Sequence, residues 1–247
     1  MNLESLTKQL IQIESISPND AGCFDILESI LEGMNFSCER ISYKNVENLY
    51  AVIGSQGPTL CFLGHTDVVP TGPSDQWTYP PFSGETHDDH IYGRGAADMK
   101  GNICAFVEAL GSFLKTEKLN YRIAILLTSN EEGTPEDGFI DELLKELKSR
   151  GETIDYCLVG EPSSSLKVAD TIRIGRRGSL SGKLKIIGKQ GHIAYPEKII
   201  NPIFLVTDLI KILKEKKWDS GNEHFQPTSF QISNINSGTG AGNIVPG

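Results

Sequence analysis

The chain reads as an α/β protein: a three-layer domain built on a mixed, largely parallel sheet, followed by a smaller α+β domain. Three observations predict this. Short apolar runs rich in β-branched residues, at 59–63, 122–127 and 154–159, have the texture of buried strands. Stretches of helical periodicity alternate with them, the pattern of a layered α/β sheet. From about residue 177 onward the apolar residues fall on alternate positions instead, the period of a strand with one wet face.

Leu3, Leu6, Leu10 and Ile13 recur at three- and four-residue steps and predict a first amphipathic helix that ends before Ser17-Pro18. Phe24, Leu27, Ile30 and Leu31 define a second helix over 23–34, and candidate strands follow at 36–42, 49–53 and 59–63. The segment 69–95 carries Pro70, Pro73, Pro80 and Pro81 and predicts a long functional loop without regular structure. A helix over 99–114, a strand over 121–128, a loop over 129–136, a helix over 137–149 and a strand over 154–159 complete a first domain spanning 1–176. In the second domain, 177–247, alternation predicts strands at 179–187 and 229–235 on either side of a helix over 202–216.

At 247 residues the chain buries a substantial core, and its 38% hydrophobic and 22% charged content is that of an ordinary globular protein. A net charge of −9 argues against a nucleic-acid or anionic-membrane surface. No apolar stretch is long enough to cross a bilayer and the start lacks a basic-then-apolar leader, so a cytoplasmic location is expected. The five cysteines are odd in number and form no Cys-x-x-Cys pair, so they are expected to be reduced, small hydrophobic residues.

Acidic or histidine clusters stand where the apolar runs end: His65-Thr66-Asp67, Glu131-Glu132 and Glu161, with Asp98 at the start of a helix. Any one of these is ordinarily a solvated loop residue. Three strands delivering such groups to the same edge is a different matter, because the crevice beyond the carboxyl ends of the strands is where open α/β sheets bind ligands. One histidine with several carboxylates suits zinc, manganese or cobalt, and the absence of Cys ligands disfavours a structural zinc knot. The charge is too negative for one cation with an open position; two cations sharing a carboxylate balance it and activate water between them. Of Glu131 and Glu132, one can ligate while the other serves as general base. The spacing of His65 and Asp67 suits a carboxylate that orients the ring from behind.

These segments resemble the dinuclear zinc deacylases and exopeptidases, the family of aminoacylases and carboxypeptidase G. The resemblance is carried by residues 64–70 (Gly-His-Thr-Asp-Val-Val-Pro), 93–101 (Gly-Arg-Gly-Ala-Ala-Asp-Met-Lys-Gly), 131–133 (Glu-Glu-Gly) and 160–163 (Gly-Glu-Pro-Ser), in that order. It implies His65 and Glu161 on a first cation, Asp98 bridging and Glu132 on a second. It further implies Glu131 as general base, Asp67 tuning His65, a cis peptide after Asp98, and zinc as the metal with cobalt as the alternative. Residues 172–179, 188–196, 227–231 and 238–247 resemble the inserted dimerisation domain of the branch that hydrolyses N-succinyl-LL-2,6-diaminopimelate to succinate and diaminopimelate. By that likeness the protein is a homodimeric, metal-dependent amide hydrolase. Arg176, Ser179, Tyr195 and Asn243 become donors to an anionic substrate, and His192 reaches the partner subunit's site to stabilise the oxyanion. An acetylornithine deacetylase-like or dipeptidase member, or a non-catalytic dimerising metal-binding fragment, are the competing readings.

The family pattern also requires a second histidine ligand, from a return of the chain into the first domain after the insert. None of His87, His90, His192 or His224 matches it. The chain is therefore expected to be C-terminally truncated with both domains incomplete, to keep its first metal site, to hold a second cation weakly, and to be inactive or nearly so.

Overall fold

The computed structural model describes residues 2–134 and 140–247, and the chain divides into two compact units, Met1–Ile172 and Arg173–Gly247. The first unit holds a five-stranded sheet of β1 (Ser37–Tyr43), β2 (Val46–Ile53), β3 (Thr59–His65), β6 (Arg122–Thr128) and β7 (Tyr156–Val159), in the order β1-β2-β6-β3-β7. β1 pairs antiparallel with β2, and β2 with β6; β3 runs parallel to both β6 and β7. The sheet is thus mixed, its parallel half being the one that ends in the acidic clusters.

Each strand's parity assigns its side chains to a layer. Ile123, Ile125 and Leu127 of β6 face one way with Leu49, Ala51 and Phe62. Against them pack α1 (Leu3–Ile11), α2 (Cys23–Gly33) and α3 (Gly101–Thr116), through Leu6, Leu10, Phe24, Leu27, Leu31, Ile103 and Val107. Ala124 and Leu126 face the other way with Tyr50 and Cys61, covered by Leu143 and Leu147 of α4 (Ile140–Ser149). Helices on both faces make the three layers. The expected start of α4 near residue 137 lies outside the described residues.

Two expectations are corrected in this unit. The loop 69–95 contains a short helical turn, Ser74–Gln76, and a hairpin of β4 (Glu85–His87) and β5 (His90–Tyr92). Its two-residue turn, Asp88-Asp89, has φ of +49° and +61°, the left-handed backbone that hairpin turns use and that Asp tolerates. All five cysteines are free, but Cys157 is exposed, because β7 is the edge strand and packs on one neighbour only.

In the second unit, α5 (Pro202–Glu215) forms as predicted, capped by the Asn201 side chain, which accepts from Ile203 N at 2.9 Å. The strands expected at 179–187 and 229–235 do not form. Leu180, Leu184 and Ile187 are exposed, and no strand among the described residues lies opposite them. Alternation supplies a strand's faces but not the neighbour whose hydrogen bonds make it a strand. The unit's pairings are short: β8 (Gly191–His192) with β9 (Ile244–Val245), and a single antiparallel bridge between Lys189 and Ile200. No helix among the described residues is long and apolar enough to cross a membrane.

A buried cation ties the first unit's helices together. Lys100 is fully buried, and its ammonium donates to Leu10 O in the last turn of α1 and to Ile13 O just beyond it, both at 2.8 Å, adding to the backbone N–H that each carbonyl already accepts. Burial pulls its pKa below the usual lysine range. Lys100→Met removes the charged donor from two buried carbonyls, leaving Leu10 O with Ile13 N and Ile13 O with Ser15 N alone, and is expected to destabilise the chain by about 2 kcal/mol. Urea denaturation of the two proteins checks it.

Candidate metal centre

β3, β6 and β7 end side by side, so their following residues share one edge. β3 delivers His65 and Asp67, β6 leads to Glu131 and Glu132, and β7 leads to Glu161. Asp98 enters from the turn Ala96–Lys100 that precedes α3, and the Asp98–Met99 peptide is cis. Two glycines set the spacing. Gly64 and Gly160 stand just before His65 and Glu161, and Met99 fills the space between them: a Cβ on Gly64 would lie 2.6 Å from Met99 Cε, and one on Gly160 2.5 Å. Asn102 closes the same corner, its side-chain amide donating to Gly160 O at 2.6 Å.

His65 is 1% exposed and Asp67 fully buried. His65 Nε2 lies 3.1 Å from Asp98 Oδ1 and 3.3 Å from Glu161 Oε1. Its other nitrogen, Nδ1, lies 2.9 Å from Asp67 O and 3.5 Å from Asp67 Oδ1. With Nδ1 turned to Asp67, Nε2 is the nitrogen that faces the acidic side, where its lone pair becomes available to a cation that displaces its proton. The Asp67 carboxylate also accepts from Glu131 N and Glu132 N, each at 3.1 Å, and from Ser17 Oγ. Side-chain donor atoms of His65, Asp98 and Glu132, and separately of His65, Glu131 and Glu161, lie within 4.8 Å of one another.

The electrostatics are those of donors gathered without their cation. Burial would lower the His65 pKa, but the Asp67 carboxylate and Glu161 hold it up at about 9. Asp67 is pulled down in spite of its burial by His65, Ser17 and the Glu131 amide. Glu132 is raised, first by burial and then by Asp98 and Glu131; Glu161 is raised by burial, with Asp98 and Glu131 adding to it and His65 opposing. Crowded carboxylates around one imidazole fit a divalent ion, which supplies the missing positive charge. Lys100, two residues from Asp98, sends its ammonium to α1 instead.

All six residues expected at this edge, His65, Asp67, Asp98, Glu131, Glu132 and Glu161, are brought together there. Glu131 stands among the potential ligands, beyond the base role expected of it. The five residues expected to bind substrate belong to the second unit. Among them Asn243 Nδ2 lies 3.4 Å from His192 Nε2, and the rings of His192 and Tyr195 are 6.0 Å apart. Arg176 and Ser179 lie on an exposed stretch without secondary structure. Sequence reasoning missed Ser17, Lys100 and Met99, whose parts depend on what the fold sets beside them.

Residues 61–239 match the sequence model of Peptidase family M20/M25/M40. Curated relatives include the succinyl-diaminopimelate desuccinylases of Methylobacillus flagellatus, 52% identical over 98% of this chain and 64% of that protein, and of Alkalilimnicola ehrlichii, 49% identical with the same coverage. The chain thus spans about 64% of the length of these relatives. Solved structures with a like fold include the M20 family metallo-carboxypeptidase Sso-CP2 from Sulfolobus solfataricus, with a TM-score of 0.66 at 20% identity over 92% of this chain and 52% of that one. A tripeptidase from Staphylococcus aureus matches with a TM-score of 0.66 at 19% identity over 98% of this chain and 62% of that one.

Asp67→Asn keeps the shape but exchanges one acceptor oxygen for a donor, which then faces the main-chain N–H of Glu131 or of Glu132. It is expected to weaken Co²⁺ uptake by the chain roughly 10- to 100-fold. Competition against a chromophoric chelator measures it.

Proposed function

The chain belongs to peptidase family M20/M25/M40, and from that premise we propose that the whole protein hydrolyses the amide of N-succinyl-LL-2,6-diaminopimelate to succinate and LL-2,6-diaminopimelate. The reading rests on the convergence of one buried histidine and four carboxylates at a single sheet edge, in a chain half identical to proteins named for that reaction. In this reading His65 and Glu161 would hold a first divalent cation and Glu132 a second, with Asp98 as the carboxylate shared between them. Zinc is the proposed metal, cobalt the alternative. When bound, the cations supply a Lewis acid for the carbonyl and a water of lowered pKa.

The chain's own groups do the rest. Glu131 takes a proton from the attacking water as the C–O bond forms and the carbonyl becomes an oxyanion, then returns it to the amine nitrogen as the carbonyl re-forms and the acyl C–N bond breaks. Asp67 keeps the His65 ring turned with Nε2 outward. Arg176, Ser179, Tyr195 and Asn243 are proposed as donors to the substrate's carboxylates, where guanidinium and amide groups pair well. His192 is proposed to stabilise the developing oxyanion across a homodimer formed through the second unit. A cytoplasmic location belongs to the same proposal.

Two measurements test this. The whole protein is expected to turn over N-succinyl-LL-2,6-diaminopimelate in preference to N-acetylornithine. Glu131→Gln should lower kcat by about 10³ with little change in KM. Equal or better use of N-acetylornithine would overturn the substrate assignment. For the 247-residue chain itself, metal analysis after dialysis is expected to find one tightly held zinc. The second position has Asp98 and Glu132 but no second imidazole in the clusters among the described residues. Two tightly held ions would refute that division of ligands.

A further inference from the structure

We propose that Ser17 is a positioning residue for the acidic cluster, acting through Asp67 on the backbone that carries Glu131 and Glu132. The inference rests on the cation-binding reading of that cluster. Asp67 is fully buried, so each lone pair it exposes needs a donor. Two of those donors are the main-chain N–H groups of Glu131 and Glu132 and the third is the Ser17 hydroxyl; His65 Nδ1, 3.5 Å from Oδ1, lies nearer the Asp67 carbonyl at 2.9 Å. Ser17 alone among them belongs to neither a ligand nor the proposed base. Its Oγ has a second acceptor in Val68 O, but at 3.4 Å that contact is weak, and the charge-assisted bond to the carboxylate wins.

The hydroxyl is also held from behind. Ser17 N donates to Val68 O at 3.2 Å, Val68 N to Ser15 O at 2.9 Å, and Ser15 Oγ to Thr66 O at 2.6 Å. On the other side Ser129 Oγ donates to Pro18 O at 2.7 Å. Residues 15–18 therefore form a strap stitched to the ends of both β3 and β6, and Ser17 is the point at which the strap meets the carboxylate. Without the hydroxyl, Oδ2 keeps only the Glu132 amide. The carboxylate can then rotate, loosening its bonds to both amides and its hold on the His65 ring.

The test uses the 247-residue chain with Ser17→Ala, Ser17→Thr, and Leu147→Val in the α4 core as a stability control. Amide hydrogen exchange at Glu131 and Glu132 is read on metal-free protein, and Co²⁺ affinity by chelator competition. Ser17→Ala is expected to speed exchange at both amides about tenfold and to weaken Co²⁺ binding about tenfold. Ser17→Thr should restore both, since it keeps the hydroxyl. Leu147→Val should lower Tm while leaving both unchanged. A Ser17→Ala protein that loses only Tm, or a Thr variant that restores neither readout, overturns the proposal. If the unsubstituted chain takes up no Co²⁺, the cation reading fails, and the exchange rates still decide the role of Ser17.

Discussion

The Asp67 carboxylate is the constraint on which the candidate centre depends. A fully buried anion survives only where donors surround it, and every donor here comes from a segment the centre needs in place. The His65 ring approaches from β3, the amides of Glu131 and Glu132 from the loop after β6, and Ser17 from the strap after α1. Satisfying one carboxylate therefore fixes three pieces of chain relative to one another. Asp67 itself stays one layer behind the open side, where Asp98 and Glu161 meet His65 Nε2.

The sheet makes this economical. Parallel pairing of β3 with both β6 and β7 brings three carboxyl ends to one edge, so a few residues beyond each strand suffice to bring charge together. Burial first, and then their mutual repulsion, raises Glu132 and Glu161. That repulsion is tolerated because the packing that holds the strands lies on the two sheet faces, away from the crowded edge.

Much of this was legible in the sequence, and what was not has a physical reason. The strand ends at His65, Glu131 and Glu161 could be read because apolar runs stop abruptly there, and the ligand types say what the edge is for. The hairpin of β4 and β5 was signalled by Asp88-Asp89 but hidden by the prolines around it. Strands at 179–187 and 229–235 were over-read, because period two describes a strand's two faces and is silent about its neighbour. Ser17 and Lys100 were invisible for a different reason. A serine before a proline marks a helix end and a lysine after Asp-Met looks solvated; only the fold puts Asp67 beside one and the carbonyls of Leu10 and Ile13 around the other.

Gly64, Gly160 and Met99 give the centre a front and a back with opposite tolerances. Behind the ligands, the Met99 thioether occupies the space that two absent methyl groups leave free, so an added carbon on either glycine has to displace its terminal methyl, and on Gly160 the Phe62 ring as well. In front, the side chains of Asp98 and Glu161 are half and one-third exposed, and changes there meet water rather than packed atoms. Variation that retunes such a centre while keeping it assembled has to come from the solvent side.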